Sequence, residues 1–385
     1  MEKIFSFTGA KKIVFGNGSF DKLGEHIKES GCSNPLIVLD KTLSASGFGD
    51  KVSGLLGNNG LNHTIFDKVT AEPELKLADD GAKIAIKNGN DSVVGIGGGS
   101  AMDVAKAVAV LAANKGKAAD YLGLNKVPGP GLPKIMVPTT AGTGSEVTFT
   151  SVFSRKNLKK KEGMNSPYLY PELAVLDPLL TLGLPPEPTA ATGIDALCHA
   201  IESYTSINSS PMSEMFSLKA IDLIASNLRT CVHNGSDLGA REQMLLGSLY
   251  AGFGLANAGV GAAHSLSYPL GGKYGIPHGL ANTITLPPVM EFNLPAALEK
   301  FAVIAAVMGE QIDDLPLREA AYLAVEAVES LIEDCDMYAG LENLGIPEEV
   351  FPELAEIAMT VTRPLENNPR KMTVEDAIEI YRQVY

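Results

Sequence analysis

The stretch SVVGIGGGSAMDVAKAVAVLAA, residues 92–113, decides the fold. Its opening residues are apolar and β-branched, the composition of a strand buried on both faces. Gly97, Gly98, Gly99 and Ser100 follow at once, and from near Ala101 the pattern is that of a helix. Consecutive glycines let a backbone turn tightly and approach a ligand, and the unpaired N–H groups at a helix start attract phosphate. Strand, glycine turn and helix in that order read as a diphosphate cradle, with a plain tight turn as the simpler alternative. Asp103, one turn into the helix, either serves the same ligand or complements the helix dipole.

The flanking sequence repeats this alternation. KKIVFG (11–16), PLIVLD (35–40), HTIFDKV (63–69), KIMVPTT (134–140) and ELAVLDP (172–178) are strand-like, and helical segments such as FDKLGEHIKESG (20–31) lie between several of them. Strand and helix at this spacing predict an α/β domain with a mostly parallel sheet covered on both faces. After LGLPPEP (182–188) the signal becomes helical, broken by Gly and Pro, with no strand. A chain of 385 residues is too long for one comfortable core. The double proline therefore marks the expected boundary between an α/β domain, 1–182, and an all-helical domain, 183–385.

The glycine turn is not a P-loop, since no Gly-Lys-Ser/Thr follows it. It also departs from the usual dinucleotide fingerprint, in which an acid comes about 20 residues after the glycines. Here the one acid that convincingly ends a strand, Asp40, comes before them, so a shared dinucleotide requires a different strand order. A carboxylate there would accept from a ribose 2′-hydroxyl and repel a 2′-phosphate, which favours NAD over NADP; a loop-facing acid is the alternative. A second loop, VPTTAGTGSEVT (137–148), gathers Thr139, Thr140, Thr143 and Ser145 around two glycines directly after a strand. That density of hydroxyls suits a phosphate, ribose or carboxamide.

Formal net charge is −14, which disfavours nucleic acid and anionic lipid as partners and favours a small molecule. The one dense basic run, KNLKKKEG (156–163), reads as a solvated loop. Four cysteines stand far apart without a CxxC pair, and the first residues lack the apolar core of a signal peptide, so a cytoplasmic protein with reduced thiols is expected. No apolar run approaches the roughly 18 residues that a membrane span needs.

Three of the six histidines stand in apolar or glycine-rich parts of the helical half. His199 follows Asp195 by four residues in PTAATGIDALCHAIESYTS (188–206), which puts both on one helix face, about 6 Å apart along the axis. His264 lies in GVGAAHSLSYPLGG (259–272) and His278 in KYGIPHGLANTITLPP (273–288). Each histidine alone also reads as a hydrogen-bonded core group. Together, one carboxylate and three imidazoles form a coherent ligand set for Fe²⁺ or Zn²⁺. Cys198 reads as packing.

Taken with these features, GGGSAMDVAKA (97–107), PTTAGTGSEVT (138–148), GIDALCHAIESYTS (193–206), GIPHGLANTITLPPVMEFN (275–293) and NNPRKMTVEDAIEIY (367–381) give the chain its family likeness. It resembles the iron-containing (group III) alcohol dehydrogenases of the dehydroquinate synthase-like fold, over almost its whole length. The resemblance implies that Asp195, His199, His264 and His278 bind iron, with Zn²⁺ as the alternative. It implies NAD(P) held at Gly97, Gly98, Gly99 and Ser100, with Asp40 by the adenine ribose and the loop from Thr139 lining the cofactor cleft. It further implies an active site between the domains, reversible hydride transfer to or from a small alcohol or aldehyde, and a homodimer or larger homo-oligomer joined through N-terminal strands, for which residues 3–16 could supply a hairpin.

One position departs from many relatives: Tyr268 stands where they carry a further histidine that assists proton relay. A phenol with a pKa near 10 is the weaker shuttle. SYPLGG (267–272) is also similar to members that act on hydroxyacids. A 4-hydroxybutyrate-type or polyol dehydrogenase, a metal-dependent lyase resembling dehydroquinate synthase, and a non-catalytic nucleotide sensor are the rival readings.

Overall fold

The computed structural model describes residues 4–155, 158 and 160–385. Residues 4–8, 141–143 and 183–385 form one compact unit, and residues 9–140 and 144–182 form another.

The second unit is an α/β layer structure. Its strands are β1 (Lys12–Phe15), β2 (Pro35–Asp40), β3 (Thr64–Val69), β4 (Ser92–Gly97), β5 (Gly123–Leu124), β6 (Lys134–Pro138), β7 (Thr150–Arg155), β8 (Lys160–Asn165) and β9 (Leu173–Leu176). Its helices are α1 (Leu23–Glu29), α2 (Lys41–Ala45), α3 (Phe48–Asn58), α4 (Leu75–Lys87) and α5 (Gly99–Ala113). Six strands form a wholly parallel sheet in the order β1-β9-β6-β4-β2-β3. Strand β2 explains the two covered faces: Leu36 and Val38 join the core that includes Ala105 and Val108 of α5, whereas Ile37 and Leu39 join Leu23, Ile27 and Val52 of α1 and α3 on the other face. Alternation along a strand sends successive side chains to opposite faces, so a continuous apolar run fills both.

Beyond the expected sheet, β5, β8 and β7 form a small second sheet in which β7 and β8 are antiparallel. This corrects the solvated-loop reading of the basic run in part, because Lys160, Lys161, Glu162 and Gly163 belong to β8. Lys160 pairs with Glu162 at 2.7 Å and Lys161 with Glu72 at 2.8 Å, so the charges are matched locally while the backbone pairs. Lys156, Asn157 and Lys159 of that run lie outside the described residues.

Among the described residues, the N-terminal segment forms no hairpin within the chain. Strand β1 pairs in parallel with β9. Upstream, Phe7 stacks on Phe216 at 5.3 Å, and Thr8 exchanges two backbone hydrogen bonds with the Asn257 amide at 2.8 and 2.9 Å. Met1, Glu2 and Lys3 lie outside the described residues.

The other unit is helical: α6 (Pro186–Thr205), α7 (Pro211–His233), α8 (Leu238–Ala258), α9 (Ala262–Tyr274), α10 (His278–Asn293), α11 (Leu298–Met308), α12 (Leu317–Asp334), α13 (Phe351–Met359), α14 (Thr362–Asn367) and α15 (Val374–Gln383). The second proline of the expected boundary begins α6, where its missing N–H costs nothing and its fixed φ suits the first turn. Helix α6 is buried along most of its length and packs against α7, α8 and α10. Among the described residues no single helix is long and apolar enough to cross a membrane.

Candidate metal centre and nucleotide cradle

The three histidines come to the same carboxylate, Asp195, because of where their helices begin. Asp195 and His199 lie one turn apart on α6; His264 is the third residue of α9, after Gly261, and His278 is the first of α10, after Pro277. Gly279 allows α10 to close on α6, since a Cβ there would lie 2.5 Å from the Ala191 carbonyl oxygen.

The Nε2 atoms of His199, His264 and His278 lie 3.9, 3.9 and 3.8 Å from a single oxygen, Asp195 Oδ1. Asp195, His199 and His264 each offer a ligand atom within 4.8 Å of the other two, against about 3.4 Å between tetrahedral ligands with bonds of about 2.1 Å, while His278 approaches Asp195 but lies outside that trio. The lone pairs converge, because the Asn282 amide nitrogen is 2.6 Å from Asp195 Oδ1, 3.1 Å from His264 Nε2 and 3.3 Å from His278 Nε2. His199 Nδ1 faces the Gly142 backbone without a well-formed hydrogen bond.

Charge states suit ligation. Burial alone would raise the Asp195 carboxyl, but His199, His278, His264 and the Asn282 amide outweigh it and hold the pKa down at about 2. Burial lowers the His199 pKa against the pull of Asp195, which leaves the imidazole neutral. Ionised carboxylate and neutral imidazole are the metal-binding forms. The side chains of Asp195, His199 and His264 are sealed, whereas His278 is 28% exposed.

Tyr268 stands beside this set, its ring 5.9 Å from His278 and edge-on to His264 at 6.4 Å. Burial, reinforced by the charges of Glu202 and Asp195, pushes its phenol pKa upward, so the O–H stays intact. Cys198, read as packing, is buried with Sγ 3.7 Å from His264 Nδ1. Two residues absent from the sequence reading also touch the cluster, Glu202 and Asn282. Both were visible in principle: Glu202 follows Asp195 by two turns of helix, and Asn282 follows His278 by one.

In the α/β unit, neighbouring strand ends bring the expected cofactor residues together. Strands β2 and β4 are adjacent, so Asp40 comes beside Gly97; a Cβ on Gly97, whose φ is +144°, would lie 2.9 Å from Asp40 Oδ2. The other Asp40 oxygen accepts from the Leu43 N–H at 2.8 Å and caps α2. Gly98 caps α5, and the helix starts at Gly99, so Gly99 and Ser100 supply its first N–H groups. The Thr139 N–H donates to the Gly97 carbonyl at 3.0 Å, and Thr140 lies within about 3.5 Å of a side chain built on Gly98. Thr143 belongs to the helical unit.

Asp103 and Lys106 fasten the second loop. Asp103 accepts from the Ser145 hydroxyl at 2.6 Å and the Val152 N–H at 2.8 Å. The fully buried Lys106 ammonium donates to the Ser145 carbonyl at 3.0 Å, the Thr148 hydroxyl at 3.2 Å and the Thr150 carbonyl, and pairs with Asp103 at 3.3 Å.

Comparison with known proteins decides the family. Residues 10–178 match the family model described as iron-containing alcohol dehydrogenase, and residues 189–385 match the C-terminal model of the same family. The chain belongs to the iron-containing alcohol dehydrogenase family. Within that family it is 39% identical over 383 residues to long-chain-alcohol dehydrogenase 1 of Geobacillus thermodenitrificans, covering 97% of this chain and 96% of the relative. It is also 39% identical over 385 residues to the 1,3-propanediol dehydrogenase of Citrobacter freundii, covering 100% and 99%. A crystal structure of 1,3-propanediol oxidoreductase superimposes with a TM-score of 0.96 at 38% identity, covering 100% of both chains.

Proposed function

We propose that this chain catalyses the reversible, NAD-linked oxidation of a small alcohol to its aldehyde or ketone, using a divalent cation, iron before zinc, held by Asp195, His199, His264 and His278. The observation that carries this reading is the approach of three Nε2 atoms to within 3.9 Å of one Asp195 oxygen. Such a cation supplies Lewis acidity that lowers the pKa of a substrate hydroxyl, and NAD supplies the hydride acceptor.

The chain's own residues would supply position and charge. His278, the one ligand-type side chain with solvent access, would stand on the side from which substrate arrives. Gly97, Gly98, Gly99 and Ser100 would take the diphosphate at the start of α5, and Asp40 would accept from the adenine ribose and disfavour NADP. Thr139, Thr140, Thr143 and Ser145 would line the nicotinamide end. Asp103 would act through Ser145 as a positioning residue. Tyr268 would donate a hydrogen bond and keep its proton, so proton transfer would run through water and ribose hydroxyls.

The full enzyme would work as a homodimer or larger homo-oligomer in the cytoplasm. A hydroxyacid or semialdehyde substrate is a second reading, favoured by Arg363, whose positive charge acts on Tyr268 and could attract an acidic substrate end. The test follows NADH absorbance with short aldehydes, hydroxyaldehydes and semialdehydes, with Fe²⁺, Zn²⁺ or chelator, beside elemental analysis of anaerobically purified protein. Absence of metal-dependent NADH consumption with every member of the panel would overturn the proposal.

A further inference from the structure

Helix α6 carries a third buried ionisable group on the face that holds Asp195 and His199. Glu202, 5% exposed, places Oε2 2.5 Å from His264 Nδ1. Its Oε1 accepts the Ala263 N–H at 2.8 Å and, at greater length, the His264 N–H at 3.4 Å. These N–H groups belong to the first turn of α9, whose cap, Gly261, has no side chain to satisfy them. A Cβ at Gly261 would lie 3.1 Å from Glu202 Oε1, so the bare cap makes room for the carboxylate.

We infer that Glu202 is the positioning residue of the metal centre: it accepts a hydrogen bond from His264 Nδ1–H, fixes the tautomer whose Nε2 lone pair faces Asp195, and ties the start of α9 to α6. The inference rests on the reading of Asp195, His199, His264 and His278 as metal ligands. A second contact on the same ring fits this tautomer, since the Asn282 amide nitrogen, a donor, lies 3.1 Å from His264 Nε2. Both ends of the imidazole are thus placed for one and the same tautomer. A carboxylate on the far nitrogen orients a ligating histidine and raises its basicity.

Glu202, Cys198 and His264 also stand close enough together to suggest a second cation site. The 2.5 Å separation of Oε2 and Nδ1 rules against it: two ligands bonded to one ion at about 2.1 Å each stand about 3 Å or more apart. That spacing fits a shared proton.

The experiment uses the full chain loaded with Zn²⁺. Chelator competition should show one ion per chain, and Glu202→Gln should weaken Zn²⁺ affinity about 10- to 100-fold while NAD affinity stays at the parent value. Histidine-selective ¹⁵N NMR of the unsubstituted protein should show His264 protonated at Nδ1, a readout independent of how the variant folds. Unchanged Zn²⁺ affinity in folded Glu202→Gln or two ions per chain would overturn the inference while leaving the four-ligand reading standing; an Nε2-protonated His264 would overturn both. A parent protein that binds no Zn²⁺ would overturn both.

Discussion

Asp40 and Gly97 end adjacent parallel strands so closely that any side chain on Gly97 would press on the Asp40 carboxylate, at 2.9 Å from Cβ to Oδ2. This contact joins an acid to a glycine turn that follows it in the chain, the reverse of the usual dinucleotide order. The first prediction concerns this pair. Asp40→Ala should raise the KM for NAD about tenfold and lower that for NADP if, as proposed, Asp40 is the ribose acceptor and the charge that repels a 2′-phosphate. Gly97→Ala should cost more than tenfold in affinity for both cofactors. Steady-state kinetics with each dinucleotide checks both.

Lys106 illustrates a buried charge that serves architecture. Lys106→Ala would leave Asp103 without its cation and remove the ammonium donor from the Ser145 and Thr150 carbonyls and the Thr148 hydroxyl. Loss of one partner from a buried pair costs about 3–5 kcal/mol. Urea unfolding should show that loss, and calorimetry should show NAD affinity falling with it because the Ser145 loop is released.

Glu146 sets an expected pH dependence. Burial raises its pKa from 4.5 to about 7, opposed by its own backbone N–H and by Lys106. Between those values the folded chain holds a proton that the unfolded chain has lost, so this residue's contribution to stability falls as pH rises from about 4.5 to about 7 and then levels off. The difference is at most about 3 kcal/mol. Glu146→Gln should remove this dependence, and its thermal midpoint should gain on the parent protein more at pH 8 than at pH 5.

The metal ligands and the cofactor cradle are predicted to fail separately. His264→Ala should abolish metal-dependent turnover and leave NAD binding, measured by calorimetry, within about twofold of the parent. Equal loss of both would contradict the division of labour proposed for them. Chelator treatment of the unsubstituted protein should lower the thermal midpoint, since an ion bound only by the folded state at 100 times its Kd contributes about 2.7 kcal/mol.

The large sheet was legible because its strands are continuous β-branched runs between helices, as in PLIVLD and SVVGIG. The small sheet was not, because β8 reads KKEGMN, whose charges obscure strand periodicity until Glu72 and Glu162 are placed beside the lysines. Strand order was equally hidden: nothing in the local sequence puts β2 next to β4. At the candidate metal centre, the four-residue step from Asp195 to His199 pointed to a shared helix face. The approach of His264 and His278 depends on how α9 and α10 pack, which single-chain spacing does not encode. Glu202 and Asn282 went unnoticed because a glutamate and an asparagine on helices look like ordinary solvated residues until burial is known.

The uneven sealing of the four ligand-type side chains has a kinetic consequence. With Asp195, His199 and His264 closed off and His278 28% exposed, His278 is the one side chain of the proposed set that an arriving ion can meet from solvent. On that reading, His278→Ala should speed the loss of Zn²⁺ to chelator as well as weaken its binding.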